Sequence, residues 1–189
     1  MTDSNAPKYP LLATPQVQLS GNVDYGMYAW FKQQVHNAAG DDPLVVSLTT
    51  LGGDPEVARA MADDIRLIRD YTGRETLFLG KVAVYSAGAT FMSGFPAANR
   101  WLTRGSRLML HERQMTSTLN LNGPLTTLRY TLEAKLLEIE DSIRIQDEGF
   151  RALVHGTGVT FEELKRKAES AWYIEAEQAR DLGLVLDVI

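Results

Sequence analysis

The chain has 189 residues, of which 44% are hydrophobic, and this is enough for a single domain with a sizeable core. Its 24 acidic and 19 basic residues give a formal net charge of -5 and are spread along the chain, which argues against a nucleic-acid partner. The chain has no cysteine, and this excludes disulfides, thiolate metal sites and a cysteine nucleophile.

The N-terminal segment carries no targeting pattern. No apolar run in the chain approaches the ~20 residues of a membrane span, and the first ten residues lack the features of a signal peptide. We therefore expect a cytoplasmic protein without a membrane partner. Residues 1–15 contain three prolines and no periodicity, which predicts a flexible arm, and residues 16–189 are then the single folded domain.

A first strand-to-helix unit follows the arm. Residues 43–51 are short, mostly apolar and rich in β-branched residues, as a buried parallel strand is, and they end at Gly52 and Gly53. Asp54 is then placed to cap a helix that begins at Pro55.

A second unit of the same kind comes next. Residues 76–85 predict a strand, and Ser86 begins a helix of small residues that ends near Pro96. A further apolar strand is predicted at residues 107–111. This alternation of strands and helices predicts an α/β fold with a mainly parallel sheet and crossover helices.

A long helix is predicted from residue 125 to residue 153. Its apolar residues recur at spacings of three, four or seven, and they are Leu128, Leu132, Leu136, Ile139, Ile143, Phe150 and Leu153. Such a helix is too long for a domain of this size and is expected to project from it. Its apolar stripe then needs a partner, most simply the same helix of another subunit. A shorter helix, capped by Thr160, is expected to follow.

Ser86 is the best candidate for a nucleophile. It follows a strand and begins a helix of Ala and Gly, so small neighbours leave its hydroxyl accessible, and the helix N-terminus offers free N–H groups to a developing oxyanion. The alternative interpretation is that Ser86 serves only as a helix N-cap, a role that serine often has.

Three histidines are available as a base. His111 ends an apolar strand just before charged residues, so its ring is expected to emerge at the edge of the sheet; alternatively, it is a half-buried structural residue. His36 lies in a predicted amphipathic helix over residues 26–38, and His155 lies in a glycine-rich turn. Both of these are better interpreted as structural.

The Gly52–Gly53 turn has two interpretations. A glycine pair between a strand and a helix can bind a phosphate, but the chain lacks the further glycines and the lysine of nucleotide-binding loops. Such a pair also lets main-chain N–H groups approach a carbonyl oxygen, as acyl-transfer enzymes require.

Taken together, these segments resemble the proteolytic subunit of the Clp protease over residues 17–189. The matching segments are LTTLGGD (48–54), YSAGATFMSG (85–94), SRLMLHE (106–112), LVHGTGVTFEEL (153–164) and WYIEAEQARDLGLV (172–185). The most specific feature is the Ser-x-Gly-Ala sequence at Ser86 followed, 25 positions later, by the Leu-His pair that ends at His111.

The resemblance implies a fold, an activity and a set of roles. The fold is that of the Clp peptidase and of crotonases, with the long helix as a handle through which two stacked rings interlock. Ser86 matches the nucleophile, His111 the base, and the N–H groups of Gly53 and Ala87 the oxyanion hole. The family cuts unfolded polypeptides inside a chamber that a AAA+ unfoldase feeds, by acyl transfer and without a metal or another cofactor.

The chain departs from the family pattern at the third catalytic position, where the family has an aspartate and this sequence has Ala171. Alanine cannot orient an imidazole, and neutralising that aspartate in a serine–histidine–aspartate triad costs about 10⁴ in turnover. Glu169 is close in sequence and is the alternative orienting carboxylate. A second departure is the pair Glu112–Arg113, where the family usually has Gln-Pro.

Three functions are therefore compared. The first is a serine endopeptidase whose activity is reduced or abolished by Ala171, and the second is a catalytically silent subunit that completes a ring. The third is a crotonase-type acyl-CoA enzyme, in which Gly53 and Ala87 hold a thioester oxygen, but this function gives Ser86 and His111 no purpose.

Overall fold

A computed structural model describes residues 8–38, 40 and 42–189 of the chain. Within these residues the chain forms seven α-helices and seven β-strands, with one 3₁₀ turn at Ala97–Asn99. In chain order the elements are α1 Lys8–Leu12, β1 Val17–Ser20, α2 Tyr25–Asn37, β2 Leu44–Thr50, α3 Pro55–Thr72, β3 Thr76–Tyr85, α4 Ala87–Met92, β4 Arg100–Leu102, β5 Arg107–Leu110, α5 Leu125–Val154, α6 Phe161–Ala168, β6 Trp172–Glu175, α7 Ala176–Asp181 and β7 Asp187–Val188.

The strands form one mixed sheet in which parallel pairs dominate. Strands β1, β2, β3, β4 and β7 lie side by side in that order and are parallel, whereas β6 is antiparallel to β5. The long strand β3 pairs with two further strands along its length: Phe78–Gly80 pairs with β4, and Ala83–Tyr85 pairs with β5. This arrangement confirms the predicted α/β class.

The strand-to-helix units lie where the sequence pattern predicts them. The side chain of Asp54 accepts hydrogen bonds from the N–H groups of Glu56 and Val57, so it is the N-cap of α3, with Pro55 at the first helical position. The helix ends at Gly73, which has a left-handed φ of 73°. Strand β3 spans the predicted residues 76–85.

Strand β6 is an element that the sequence pattern did not predict. Trp172 and Ile174 are buried, and Tyr173 and Glu175 are exposed, which is the alternation of a strand with one solvated face. The four residues were too few to show this period convincingly in the sequence, and their pairing with β5 makes them a strand.

The segment 1–15, expected to be a flexible arm, contains an ordered part. Residues 8–12 form the short helix α1, and Leu12 is buried in a small cluster with Val45, Leu77 and Trp101. Burial of this leucine stabilises the contact, because apolar area is removed from water. Residues 1–7 lie outside the described residues.

Helix α4 packs very closely on strand β2. A β-carbon at Gly88 would overlap the Cγ2 methyl of Thr50, so only glycine fits there without a shift. The Oγ1 of the same threonine accepts a hydrogen bond from the Gly52 N–H at 3.0 Å and lies 3.1 Å from the Gly52 carbonyl oxygen. The position of α4 is thus linked directly to the glycine turn after β2.

Arg100 ties the base of α5 to the sheet. Its guanidinium is buried and donates hydrogen bonds to the carbonyl oxygens of Phe95, Leu153 and Leu184. Burial lowers its pKa to about 10. Three carbonyl acceptors satisfy the charge that this burial would otherwise make costly.

Helix α5 confirms the predicted long helix. At 1.5 Å per residue its 30 residues span about 45 Å. Only Gln146, Leu153 and Val154 on it are buried, all near its C-terminal end. Most large apolar residues on the rest of the helix are exposed, namely Leu125, Tyr130, Leu132, Leu136, Leu137, Ile139 and Ile143. Within the described part of the chain no helix combines the length and apolar character needed to cross a membrane.

Candidate active site

Ser86 sits at a strained turn between β3 and α4. Its backbone has φ 53° and ψ -114°, a conformation that costs a non-glycine residue about 1–3 kcal/mol. Its N–H donates to the Met109 carbonyl oxygen at 2.8 Å, which anchors the turn to the neighbouring strand β5. Ser86 stands at the N-cap position of α4, yet its side chain makes no capping hydrogen bond. The strain therefore directs the hydroxyl elsewhere, as in the strained strand-to-helix turns that carry serine nucleophiles.

His111 follows β5 and is half-buried. Its Nδ1 lies 2.5 Å from the main-chain oxygen of Glu112. A carbonyl oxygen can only accept a hydrogen bond, so this contact requires a proton on Nδ1. In the neutral ring the Nε2 atom is then the unprotonated nitrogen, which is the state a general base needs.

A cavity of about 330 Å³ brings the predicted residues together. Gly53, Ser86, Ala87 and His111 all line it. Among the described residues, no hydrogen bond joins Ser86 Oγ to His111. Such bonds are often long or poorly aligned in enzymes without substrate.

The two main-chain groups predicted for the oxyanion hole are at the same cavity. Gly53 has φ 144°, and a β-carbon there would overlap the main chain of Val23, with which Gly53 forms a bridge. Ala87 is the first residue of α4, where N–H groups have no helical acceptor. Within the described part of the chain neither N–H donates a hydrogen bond, so both are free for an oxygen of a ligand.

Ala171 and His111 flank the last residue pair of strands β5 and β6. Leu110 is paired with Trp172, so His111 directly follows the paired part of β5 and Ala171 directly precedes that of β6. The two residues therefore lie at the same end of this strand pair. Ala171 has φ 57°, a left-handed conformation that aspartate and asparagine adopt more readily than alanine.

Glu169 does not take the place of the missing carboxylate in this structure. It caps the C-terminal end of α6, is exposed, and makes no hydrogen bond or ion pair with His111 among the described residues. The Glu112 N–H and the Ala171 N–H both donate to the Ala168 carbonyl oxygen, at 3.3 Å and 3.2 Å. These bonds hold the segment after α6 against the residue that follows His111.

Sequence reasoning missed Arg59 and Gln146 in the cavity wall and noted Arg113 only as a departure from the family pattern. Arg59, Arg113 and Gln146 line the cavity, and the buried Gln146 accepts a hydrogen bond from the Arg113 N–H at 2.7 Å. Gln146 was detectable in principle, because it continues the three- and four-residue spacing of the apolar stripe with a polar side chain. A glutamine at such a position indicates a buried hydrogen-bond partner.

The other two histidines lie apart from the site. His36 on α2 and His155 at the end of α5 are exposed and do not line the cavity. Among the described residues no three His, Asp or Glu side chains are grouped as ligands for a metal ion.

Comparisons with known proteins identify relatives of this chain. Curated relatives include ATP-dependent Clp protease proteolytic subunit 2 of Pseudomonas aeruginosa, which is 26% identical over 94% of this chain and 82% of that protein. The subunit of the same name from Treponema pallidum is 22% identical over 94% of this chain and 83% of its own length. Among solved structures, a mutant of ClpP1 from Listeria monocytogenes has a TM-score of 0.72 and 20% identity, and the match covers 97% of this chain and 95% of that one.

The last of these likenesses supports the fold, and the family follows from the sequence as a whole. The family model described as Clp protease matches residues 4–189, which is nearly the entire chain. Together with the cavity that holds Ser86 and His111, this match shows that the chain belongs to the Clp protease family.

Proposed function

We propose that the chain is a subunit of a serine-type endopeptidase that hydrolyses peptide bonds of unfolded polypeptides, with low activity because position 171 is alanine. The observation that carries this proposal is the strained Ser86, whose hydroxyl does not cap α4 and which shares a cavity with His111, Gly53 and Ala87. Membership of the Clp protease family supports it.

The proposed reaction is acyl transfer through Ser86. His111 Nε2 takes the hydroxyl proton as Ser86 Oγ attacks the carbonyl carbon of the peptide bond. The oxyanion that forms accepts hydrogen bonds from the N–H groups of Gly53 and Ala87. The C–N bond then breaks, the imidazolium gives its proton to the leaving amine, and water attacks the acyl-enzyme by the reverse sequence of proton transfers.

The Glu112 carbonyl performs part of the role of the missing carboxylate. It accepts a hydrogen bond from Nδ1–H and so holds the tautomer and the ring orientation of His111. It carries no full negative charge, however, and stabilises the imidazolium in the transition state less than a carboxylate does. Slow turnover, with normal peptide binding, is the expected consequence.

Assembly into rings is part of the same proposal. The exposed apolar residues of α5 are an unpartnered surface that a second subunit can cover. The relatives are named as subunits of an ATP-dependent protease, which supports assembly and an ATP-dependent partner. We propose stacked rings and a AAA+ unfoldase, as the sequence resemblance implies. The cytoplasmic location stays a prediction.

A second candidate function is a structural ring subunit without activity. The alanine at position 171 favours it, because the histidine then has no buried counter-charge among the described residues. This candidate shares the assembly described above and differs only in the chemistry of Ser86.

Replacing Ser86 with alanine tests the peptidase directly. The Ser86→Ala variant is expected to lose all residual hydrolysis of a fluorogenic unfolded peptide, because no other group then forms the acyl-enzyme. The measured fold-change is limited by the low starting activity. Ser93→Ala is a matched control in the residue that follows α4, since the Ser93 hydroxyl only donates to the Thr90 carbonyl oxygen. Unchanged hydrolysis by purified Ser86→Ala protein would overturn the assignment of the nucleophile.

A further inference from the structure

Arg113 is a charged residue of the cavity wall with an unused donor. It lines the cavity that holds Ser86 and His111, and it also lines a smaller neighbouring cavity of about 180 Å³ beside α5. Its side chain is only 22% exposed. Its Nη2 donates to a carboxylate oxygen of Glu56, whereas its Nη1 is buried and has no acceptor among the residues that the structure describes.

The local charges leave this guanidinium incompletely neutralised. Glu56 also accepts a hydrogen bond from Arg59, at 2.8 Å, so two guanidiniums share one carboxylate. Burial raises the pKa of Glu56, but the hydrogen bonds and charges of Arg113 and Arg59 together outweigh this effect. The pKa of Glu56 is therefore below its usual value, and the group is ionised. The other acid of the wall, Glu112, is exposed, and water therefore screens its charge more than that of Arg113.

A buried N–H without an acceptor is costly, and an arginine fork is shaped to bind a carboxylate through two N–H groups. Nη1 is closed to solvent in this structure, so a ligand carboxylate reaches it only when the guanidinium turns toward the cavity that Arg113 lines. That contact would remove the cost and neutralise the second positive charge. Arg113 is two residues from His111 in the chain, so a group bound to it lies close to the reacting bond.

We infer, building on the proposed peptidase function, that Arg113 is a specificity-determining residue that binds the carboxylate of an acidic side chain of the polypeptide substrate. The pair Glu112–Arg113 thus gives this chain a preference for acidic segments next to the cleavage site. Arg113 takes no part in the acyl transfer.

Binding of matched peptides tests this inference without relying on turnover. The probes are two hexapeptides, acetylated and amidated at their ends, that differ only in Glu or Gln at one position. Isothermal titration calorimetry of the assembled protein is expected to show about tenfold tighter binding of the Glu peptide. The preference is expected to shrink as salt is raised. The Gln peptide with a free C-terminal carboxylate separates side-chain recognition from capture of a chain end: it is expected to bind like its amidated form, and binding as tight as that of the Glu peptide contradicts the inference.

Two variants are expected to change the preference for the Glu peptide in opposite directions, and a third variant is the control. Arg113→Gln is expected to abolish the preference for the Glu peptide. Glu56→Gln, which releases Nη2 of Arg113, is expected to increase the preference several-fold. Arg107→Gln is the control, because Arg107 pairs with Glu175 and does not line the cavity. Circular dichroism checks that each variant is folded.

The outcomes separate this inference from the proposed function. Equal binding of the Glu and Gln peptides by the natural chain contradicts the inference, as does a preference that survives in Arg113→Gln. Covalent labelling of Ser86, measured on the same samples, reports on the peptidase alone. A labelled Ser86 with no peptide discrimination therefore overturns only the role of Arg113.

Discussion

Replacing Ala171 with aspartate is expected to raise the turnover of a short peptide substrate by up to about 10⁴-fold. Residue 171 directly precedes Trp172 and His111 directly follows Leu110, and these two neighbours are paired in the sheet, so we expect a carboxylate at position 171 to reach the imidazole. It would supply the negative charge that the Glu112 carbonyl lacks. The gain is expected in kcat with little change in KM, since the charge acts on the transition state.

The backbone at residue 171 favours the same substitution. Alanine is held at φ 57°, a conformation that costs aspartate less energy than alanine. The variant is therefore expected to fold at least as stably as the natural chain. Steady-state kinetics on a fluorogenic peptide, together with a thermal melt, measures both effects.

Matched variants separate charge from strain. Ala171→Asn adopts the same backbone and has the same shape as aspartate but no charge, and is expected to recover only a small part of the gain. If Glu169 moves to orient His111 when substrate binds, Ala171→Asp gives a small gain and Glu169→Gln lowers the rate. A rate unchanged by all three substitutions would contradict the proposed role of position 171.

Charged replacements on the exposed stripe of α5 are expected to break up the assembly. Leu132 and Ile139 are 41% and 40% exposed, so their burial is completed only by another subunit. Introducing lysine at both positions places two charges in an apolar interface, where each unpaired charge costs several kcal/mol. Native mass spectrometry is expected to show species of half the mass or less.

The fold of each subunit is expected to survive these changes, because Leu132 and Ile139 are not part of the hydrophobic core of their own domain. The control is Ala134→Lys, which adds a lysine on the opposite, exposed side of the helix. An unchanged mass for the double variant, or an equal loss of mass for Ala134→Lys, would show that α5 is not the assembly surface.

Local signals determined which parts of the fold were predictable. The Asp54 cap, Pro55 and the glycine turn fixed the start of α3, and the apolar periodicity fixed α5 nearly to the residue. Strand β6 was not predicted, because its four residues form a strand only through their pairing with β5. Pairing of this kind joins residues that are distant in the chain, and no local pattern encodes it.

The site was predictable to a similar degree. The strand-to-helix turn at Ser86 and the strand that ends at His111 indicated two residues of one cavity. The contact of His111 Nδ1 with a main-chain oxygen could not be predicted from the sequence, because any residue at position 112 has a carbonyl group. The unsatisfied Nη1 of Arg113 depends on Glu56, which is 57 residues away in the chain.

Covalent labelling of Ser86 tests the central claim most directly. A fluorophosphonate reacts with a serine that an adjacent base activates, forming an O–P bond to Oγ with loss of fluoride. Peptide mapping by mass spectrometry is expected to find the phosphonyl group on Ser86 of the natural chain, slowly, and faster in Ala171→Asp. If Ser86 remains unmodified in both proteins under conditions that label a known serine peptidase completely, the chain is not a peptidase and serves as a structural subunit.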